Sequence, residues 1–574
     1  MGAVKLNLVL CWHMHQPHYR EGVDGEYRLP WVYLHGIKDY TDMAAHLENN
    51  PGMRSVVNFA PVLLEQIDDY AHQLNDYFKH GKATSDPFLN QLIGAAAIPL
   101  DANGRSELVG HCLRCNAPRM IEPYAVFDGL VRWFDHFEEF DVAEDARAVE
   151  ILNYLNEQYF IDLLCWYHIS WLGESVRSDE RVINLMEKER GFTDDDRRQL
   201  AEVIHDSLNG LIDRYRALAD SGQIELSMTP YGHPIVPLLH DFENMRCALP
   251  DAPVPQAEGY PGGSERSRWH MDKGVELFEH YFGRHPQGVW LSEGGVSSDA
   301  LKLLDEYQMR WTATGEGVWR NSCHLSQHDA EDINTKKGLF SPHSHNSDQV
   351  RIFFRDDGLS DLIGFEYSKW DTQDAVADFM QHLNNIADSI GDEADQRVVS
   401  VILDGENAWE YYYANGALFL DGLYKACASS DRIALRTFSE VADLEARTLT
   451  DLCPGSWVYG SFSTWIGEQD KNLAWDYLVA AKLAYDEVFA SGKLTDEQKK
   501  QATQQLAICE ASDWFWWFGD YNPSDSVRDF EQLFRLQLSR LYSLLQLTIP
   551  AVLEQPISSG GSHGEHSGTM RRTA

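Results

Sequence analysis

The chain is short of positive charge, of cysteine and of long apolar runs, and each shortage removes a class of function. Against 89 Asp and Glu it carries 48 Lys and Arg in 574 residues, a net charge of -41. A surface that negative repels phosphate backbones and anionic headgroups, which argues against nucleic-acid and membrane partners. The same excess keeps protein soluble in concentrated salt, while self-repulsion destabilises the fold in dilute buffer. The nine cysteines are an odd number and mostly lie far apart, so no disulfide framework is visible. Cys112 and Cys115 in HCLRCN have CxxC spacing beside His111, but no second pair completes a zinc site. No apolar stretch approaches the roughly twenty residues that cross a bilayer. The N-terminal LNLVLCWHMHQPH passes from a short apolar run into histidines rather than to a small-residue cleavage site, so it reads as a strand and not a signal peptide. A cytoplasmic protein is the expectation.

What is present is an ordinary globular composition, 44% hydrophobic and 24% charged, with enough chain for more than one unit of about 250 residues. Short runs rich in Val, Ile, Leu and Phe alternate with longer stretches of helical spacing. Candidate strands are Leu6 to Cys11, Ser55 to Phe59, Ile224 to Ser227, Gly288 to Leu291, Arg310 to Ala313, Arg351 to Phe354 and Val398 to Leu403. That set predicts an α/β barrel over residues 1–430. A helical insertion is expected around 86–220, where AVFDGLVRWFDHFEEF and DDDRRQLAEVIHDSLNGLIDRYRALAD occur. Helical spacing over 472–490, 495–511 and 526–547 predicts a C-terminal helical unit spanning 431–555, and the small polar residues of 556–574 predict a disordered tail. Two loops, Pro250 to Ser267 and Ser326 to Gly338, are candidates for the rim of a cleft.

Four clusters stand at candidate strands: His13, His15 and Gln16 in WHMHQPH, Glu225 in GQIELSMTP, Glu293 in VWLSEGG, and Asp404 in LDGENAW. In a parallel barrel the C-terminal strand ends converge on one rim, whatever their separation along the chain. A carboxylate ending an apolar strand is not explained by packing, since Asp and Glu are rarely buried without partners. Glu293 and Asp404 could supply the pair that glycoside cleavage needs, one ionised carboxylate and one protonated acid, provided the environment separates their pKa values. Taken singly, each could instead cap a helix or bind an Arg. His13 and His15, two apart on a strand, share a face suited to a metal or to sugar hydroxyls. A metal would need further ligands, such as His233.

The chain resembles glycoside hydrolase family 57, the α-amylase, amylopullulanase and 4-α-glucanotransferase family, through five motif regions in order. They are WHMHQPH (12–18), GQIELSMTP (222–230), VWLSEGG (289–295), LDGENAW (403–409) and DWFWWFGD (513–520), with FRDDGLSDLIGFEYSKW (354–370) between the third and fourth. The resemblance implies an incomplete TIM-like (β/α)7 barrel with helical insertions and a C-terminal α-helical domain. It also implies a retaining mechanism on α-glucosidic bonds without a metal or other cofactor. By motif position it makes Glu293 the nucleophile and Asp404 the general acid/base. His13, His15, Trp290, Trp409 and Asp513 would line the donor-sugar subsite, and Trp517 and Asp520 would bring the helical unit over the barrel mouth. The chain departs from the family at Gly232, where an aromatic residue is common, and over Pro250 to Ser267, which leaves glucan length and tolerance of α-1,6 branches open. The leading reading is an α-1,4-glucan hydrolase, amylase-like or amylopullulanase-like. A 4-α-glucanotransferase with the same pair is the alternative. Behind these stand a metal-dependent carbohydrate deacetylase using His13 and His15, and a glucan-binding protein without catalysis. Oligomeric state is not legible.

Overall fold

The computed structural model describes residues 4–132, 151–326, 330–345, 349–561 and 570. All seven expected strands form: β1 Leu6–Met14, β2 Ser55–Phe59, β3 Ile224–Met228, β4 Gly288–Val289, β5 Trp311–Thr314, β7 Arg351–Phe354 and β8 Val398–Asp404. Three more, β6 His343–Ser344, β9 Ile433–Leu435 and β10 Arg447–Thr448, are two or three residues long, too short to show a period in the sequence. The order β7-β5-β4-β3-β2-β1-β8 is parallel throughout. A parallel sheet must be covered on both faces. Accordingly all nine residues of β1 are buried, which is why these strands read as apolar runs.

The sheet curls until its two ends touch. Arg355, just beyond β7, forms a bridge with Ser400 of β8; Asp356 N donates to Ser400 O at 2.8 Å and Arg355 Nε to Ile402 O at 2.8 Å. The seam is one bridge and not a ladder, so the barrel is incomplete. Inside it pack Val9, Cys11, Trp290, Trp311, Phe353, Ile402 and Phe438. Alternation along β1 sends Val9 and Cys11 inward and Leu8, Leu10, Trp12 and Met14 to the outer helical layer. His13 and His15 continue the inward set and crown the barrel.

Between β2 and β3 run the insertion helices, including Pro87–Ile93, Ala102–Cys112, Glu157–Trp171, Asp194–Asn209 and Leu211–Asp220. Thr193 and Asp196 form a capping box that starts Asp194–Asn209. Of AVFDGLVRWFDHFEEF, Ala125–Val131 is helical, and residues 133–140 lie outside the described residues. The C-terminal helices are Gln469–Ser491, Asp496–Cys509, Asp513–Trp517 and Ser524–Leu544. The chain keeps supplying the sheet beyond residue 430, since β9 pairs with β1 and β10 with β6. Residues 556–561, expected in a disordered tail, pack against the last helix and the turn before it: Ile557 N donates to Glu531 Oε1 at 2.8 Å, Gly519 N to Ser558 Oγ at 3.1 Å, and Gly561 bridges Pro523. Of the rest of that tail, 562–569 and 571–574 lie outside the described residues.

Candidate active site

The register that closes the sheet also assembles the site. His13 lies beside Asn58 on one side and Asp404 on the other, and Met228 of β3 pairs with Val289 of β4. Along β8 the inward positions are Val398, Ser400, Ile402 and then Asp404, so the last carboxylate faces the barrel mouth. After β4 the chain turns at once. Glu293 adopts the left-handed conformation (φ +60°, ψ +21°), followed by Gly294 at φ +59°. A left-handed glutamate is strained. It is held by Gly294 N donating to Leu291 O at 2.7 Å, and by Trp457 N donating to Glu293 O at 3.0 Å.

The C-terminal helices add the other side. Glu510 is buried and takes hydrogen bonds from Arg266 (2.7 Å) and His270 (2.8 Å). Burial alone would raise its pKa, but these two groups hold it down to about 2. This clamp fixes residues 511–513 over the barrel, where Ser512 N donates to His233 O at 2.9 Å. A chain of contacts then crosses the mouth. Asn58 Oδ1 faces His13 Nδ1 at 2.6 Å, His13 Nε2 faces His233 Nε2 at 3.2 Å, and His233 Nδ1 faces Ser512 Oγ at 2.8 Å. Ser512 Oγ is 2.9 Å from Glu293 Oε1, while Trp457 Nε1 donates to Glu293 Oε2 at 3.2 Å. His15 stacks on His233 at 3.7 Å and donates from Nε2 to Asp513 Oδ1 at 2.8 Å. Asn407 Nδ2 donates to Asp404 Oδ2 at 2.9 Å.

Burial dominates the electrostatics. It pushes Glu293 up to about 8, helped by the charges of Asp513 and Asp404 and opposed by Ser512 and Trp457. Burial also lifts Asp404 to about 6, against the Asn407 hydrogen bond and the positive fields of His15 and Arg355. His13 falls to about 3 through burial and His15. His233 falls well below the usual range through burial and its two histidine neighbours. The two carboxyl groups are thus separated, with Glu293 holding its proton more tightly.

Both groups open on one cavity of about 830 Å3. His13, His15, Asp513 and Trp517 line it as well. Trp290 and Trp409, expected at the sugar subsite, do not. Trp290 plugs the barrel beneath His13, and Trp409 sits outside the barrel against Trp12, with Nε1 donating to Gly405 O at 2.8 Å. Asp520 is exposed beyond a sharp turn at Gly519 (φ +118°) and is absent from the lining. Glu225 lies near the start of β3, accepting from Trp311 Nε1 at 2.7 Å and from Ser439, away from the rim. Among the described residues, neither candidate loop lines the cavity. Pro250 to Ser267 instead docks on the C-terminal helices, with Ala257 N donating to Asp476 Oδ1 at 2.9 Å and Arg266 held by Glu510. Gly232 is a packing requirement, because a Cβ there would meet Ala507 O at 2.7 Å.

Ser512, Trp457 and Asn407 complete the site without having been singled out in the sequence. Trp31, Trp171, Trp516, Trp517, Tyr411 and Phe530 supply an aromatic wall, of which only Trp517 was expected. Around it the buried atoms His15 Nδ1, Glu406 Oε2 and Asp513 Oδ2 have no hydrogen-bond partner. Buried polar atoms are rarely left so, and here they are ready acceptors or donors for a hydroxylated ligand. Ligand atoms of His15, His233 and Asp513 lie within 4.8 Å of one another. The two rings are parallel within 11°, however, so their in-plane lone pairs run side by side, and three of the four ring nitrogens already have partners. That is a poor ligand set for one ion. Cys112 is buried and Cys115 half-buried; both are free thiols.

Residues 9–452 match the family described as Glycosyl hydrolase family 57. The fold is similar to a GH57-type branching enzyme from Pyrococcus horikoshii, at 15% identity and a TM-score of 0.56 over 100% of both chains. It is similar to the α-amylase AmyC from Thermotoga maritima, at 15% identity and a TM-score of 0.54 over 95% of this chain and 93% of the other. A 4-α-glucanotransferase from Thermococcus litoralis aligns at 14% identity with a TM-score of 0.50, over 94% of this chain and 60% of that one. No curated protein matches the chain in sequence.

Proposed function

Because the chain belongs to glycosyl hydrolase family 57, we propose that it cleaves α-1,4-glucosidic bonds of α-glucans with retention, Glu293 acting as nucleophile and Asp404 as general acid/base. The observation that carries this reading is that these two carboxyl groups, one after β4 and one ending β8, open on the same cavity. Asp404 gives its proton to the leaving glycosidic oxygen while Glu293 attacks the anomeric carbon. Asp404 then draws a proton from water, which frees the sugar with its configuration kept. That chemistry requires carboxyl groups about 5 to 5.5 Å apart. The aromatic wall offers faces for glucose rings. The partnerless atoms of His15, Glu406 and Asp513 offer hydrogen bonds to hydroxyls. Cysteines not joined in disulfides fit the reducing cytoplasm.

A second reading, glucan transfer, has the support of the fold neighbours, which include a branching enzyme and a glucanotransferase beside an amylase. Transfer shares the covalent glycosyl-enzyme and differs only in whether water or a sugar hydroxyl resolves it. Incubation with maltotriose separates them: glucose and maltose alone mean hydrolysis, and longer oligomers mean transfer. Pullulan in the same assay reports α-1,6 cleavage. Full activity after EDTA treatment disposes of the metal-dependent deacetylase. Loss of turnover with retained glucan binding in Glu293→Gln disposes of a binding-only protein.

A further inference from the structure

The contact chain at the barrel mouth has a direction set by its fixed end. Asn58 Oδ1, which also accepts from Thr229 Oγ1 at 2.9 Å, faces His13 Nδ1, and Asn58 Nδ2 is turned away to donate to Ser227 Oγ at 2.9 Å. His13 Nδ1 therefore carries hydrogen, and in the neutral ring Nε2 is bare. Facing that bare nitrogen, His233 Nε2 must carry hydrogen. His233 Nδ1 is then bare and accepts from the Ser512 hydroxyl. A hydroxyl has one proton, so Ser512 cannot also donate to Glu293. It accepts instead, and Glu293 Oε1 is the donor. With both histidines neutral, the network closes only when Glu293 is protonated. A protonated Glu293 cannot attack a sugar.

We propose that Ser512 and the His233–His13 pair form a proton relay that ionises Glu293 inside the closed site. As the Glu293 Oε1–H bond breaks, a bond forms to Ser512 Oγ, and the hydroxyl's own proton passes to His233 Nδ1. One carboxylate and one imidazolium appear, and no proton leaves the site. The charges arise together, 3.8 Å apart across His233 Nδ1 and Glu293 Oε1, so each offsets the burial cost of the other. When the glycosyl ester is resolved, the proton returns by the same path. The groups facing the relay are His15, stacked on His233, with Asp513 and Asp404 acting on Glu293. Ser512 and His233 are positioning residues here, since the proton acts through Glu293. The inference rests on Glu293 being the nucleophile.

The test uses α-maltosyl fluoride, whose leaving group needs no proton from Asp404, so its kcat/KM follows the ionised fraction of Glu293. With the relay, the wild-type profile changes less than about threefold from pH 6 to 8, because internal transfer conserves the proton count. In His233→Gln, which keeps hydrogen-bonding capacity but cannot take up a proton, kcat/KM rises about tenfold per pH unit over the same range. Ser512→Ala behaves likewise, Ser512→Thr restores the flat profile, and KM stays within about threefold in all of them. A wild-type profile that itself climbs tenfold per unit overturns the relay, as does a His233→Gln profile that overlays it, which would reduce Ser512 to a simple hydrogen-bond donor. The nucleophile reading is tested apart, by trapping the wild-type enzyme with 5-fluoro-α-glucosyl fluoride. A mass label on any residue but Glu293 sinks that reading, whatever the pH profiles show.

Discussion

Replacing Glu293 with Gln should stabilise the protein at neutral pH while removing its activity. Burial lifts the Glu293 carboxyl from its ordinary 4.5 to about 8, so the folded chain holds a proton that the unfolded chain releases. The sign follows from linkage: where the native state binds more protons, stability falls as pH rises. The contribution of Glu293 is complete below about 4.5 and gone once pH passes about 8. Each pH unit between those limits costs about 1.4 kcal/mol, or about 3 kcal/mol at pH 7. Gln escapes this loss and mimics the protonated acid in shape and charge, keeping an oxygen that can accept from Trp457 Nε1 and a polar group within reach of Ser512 Oγ.

Unfolding entropy of about 2.1 cal/mol/K per residue gives about 1.2 kcal/mol/K for 574 residues. A difference of about 3 kcal/mol then appears as a melting shift of about 2 to 3 °C. Differential scanning calorimetry of both proteins at pH 5, 6, 7 and 8 reads it directly. The curves should nearly coincide at pH 5 and separate steadily above. A separation independent of pH, or a variant less stable at pH 8, refutes the argument that Glu293 is held protonated by burial.

In the proposed role of general acid Asp404 must be protonated, and burial places the loss of its proton at about pH 6. On α-glucan, kcat/KM should therefore show an alkaline limb that α-maltosyl fluoride lacks; identical limbs on both substrates contradict the assignment. Trp457→Phe removes the donor to Glu293 Oε2 and should lower kcat about 10- to 100-fold, the worth of a hydrogen bond to a charged group; unchanged single-turnover rates would show that the indole is only packing. The net charge of -41 predicts a melting temperature that rises from dilute buffer to molar KCl as self-repulsion is screened. No rise sinks that expectation.

What the sequence made legible followed from burial. β1, β2 and β8 are buried along their length, so they stand out as runs dominated by apolar residues, whereas β6 and β10, at two residues each, offer no pattern. Asp404 was recognisable because an acid ending such a run has no packing reason to be there. The same logic misplaced Glu225, an acid near the start of its strand whose partners, Trp311 and Ser439, lie far along the chain. Trp290 and Trp409 flank the motif acids and were expected to touch sugar. Side-chain direction takes both off the cavity lining: one turns into the barrel and the other out toward Trp12.

Ser512 was hidden for a different reason. It precedes Asp513 in ASDWFWWFGD, where a serine reads as an ordinary polar residue before a helix. Its significance comes only from contacts 279 positions away at His233 and 219 away at Glu293. These depend on a buried ion-pair clamp, Arg266 and His270 on Glu510, that places the C-terminal helices on the barrel. The clamp makes a helical unit part of a barrel's chemistry. Breaking it by Glu510→Gln, which leaves Arg266 buried without its counter-ion, should lower activity through displacement of Ser512 as well as lower stability. A Glu510→Gln protein that is destabilised but catalyses at the original rate would show that the barrel rim holds Glu293 ready on its own.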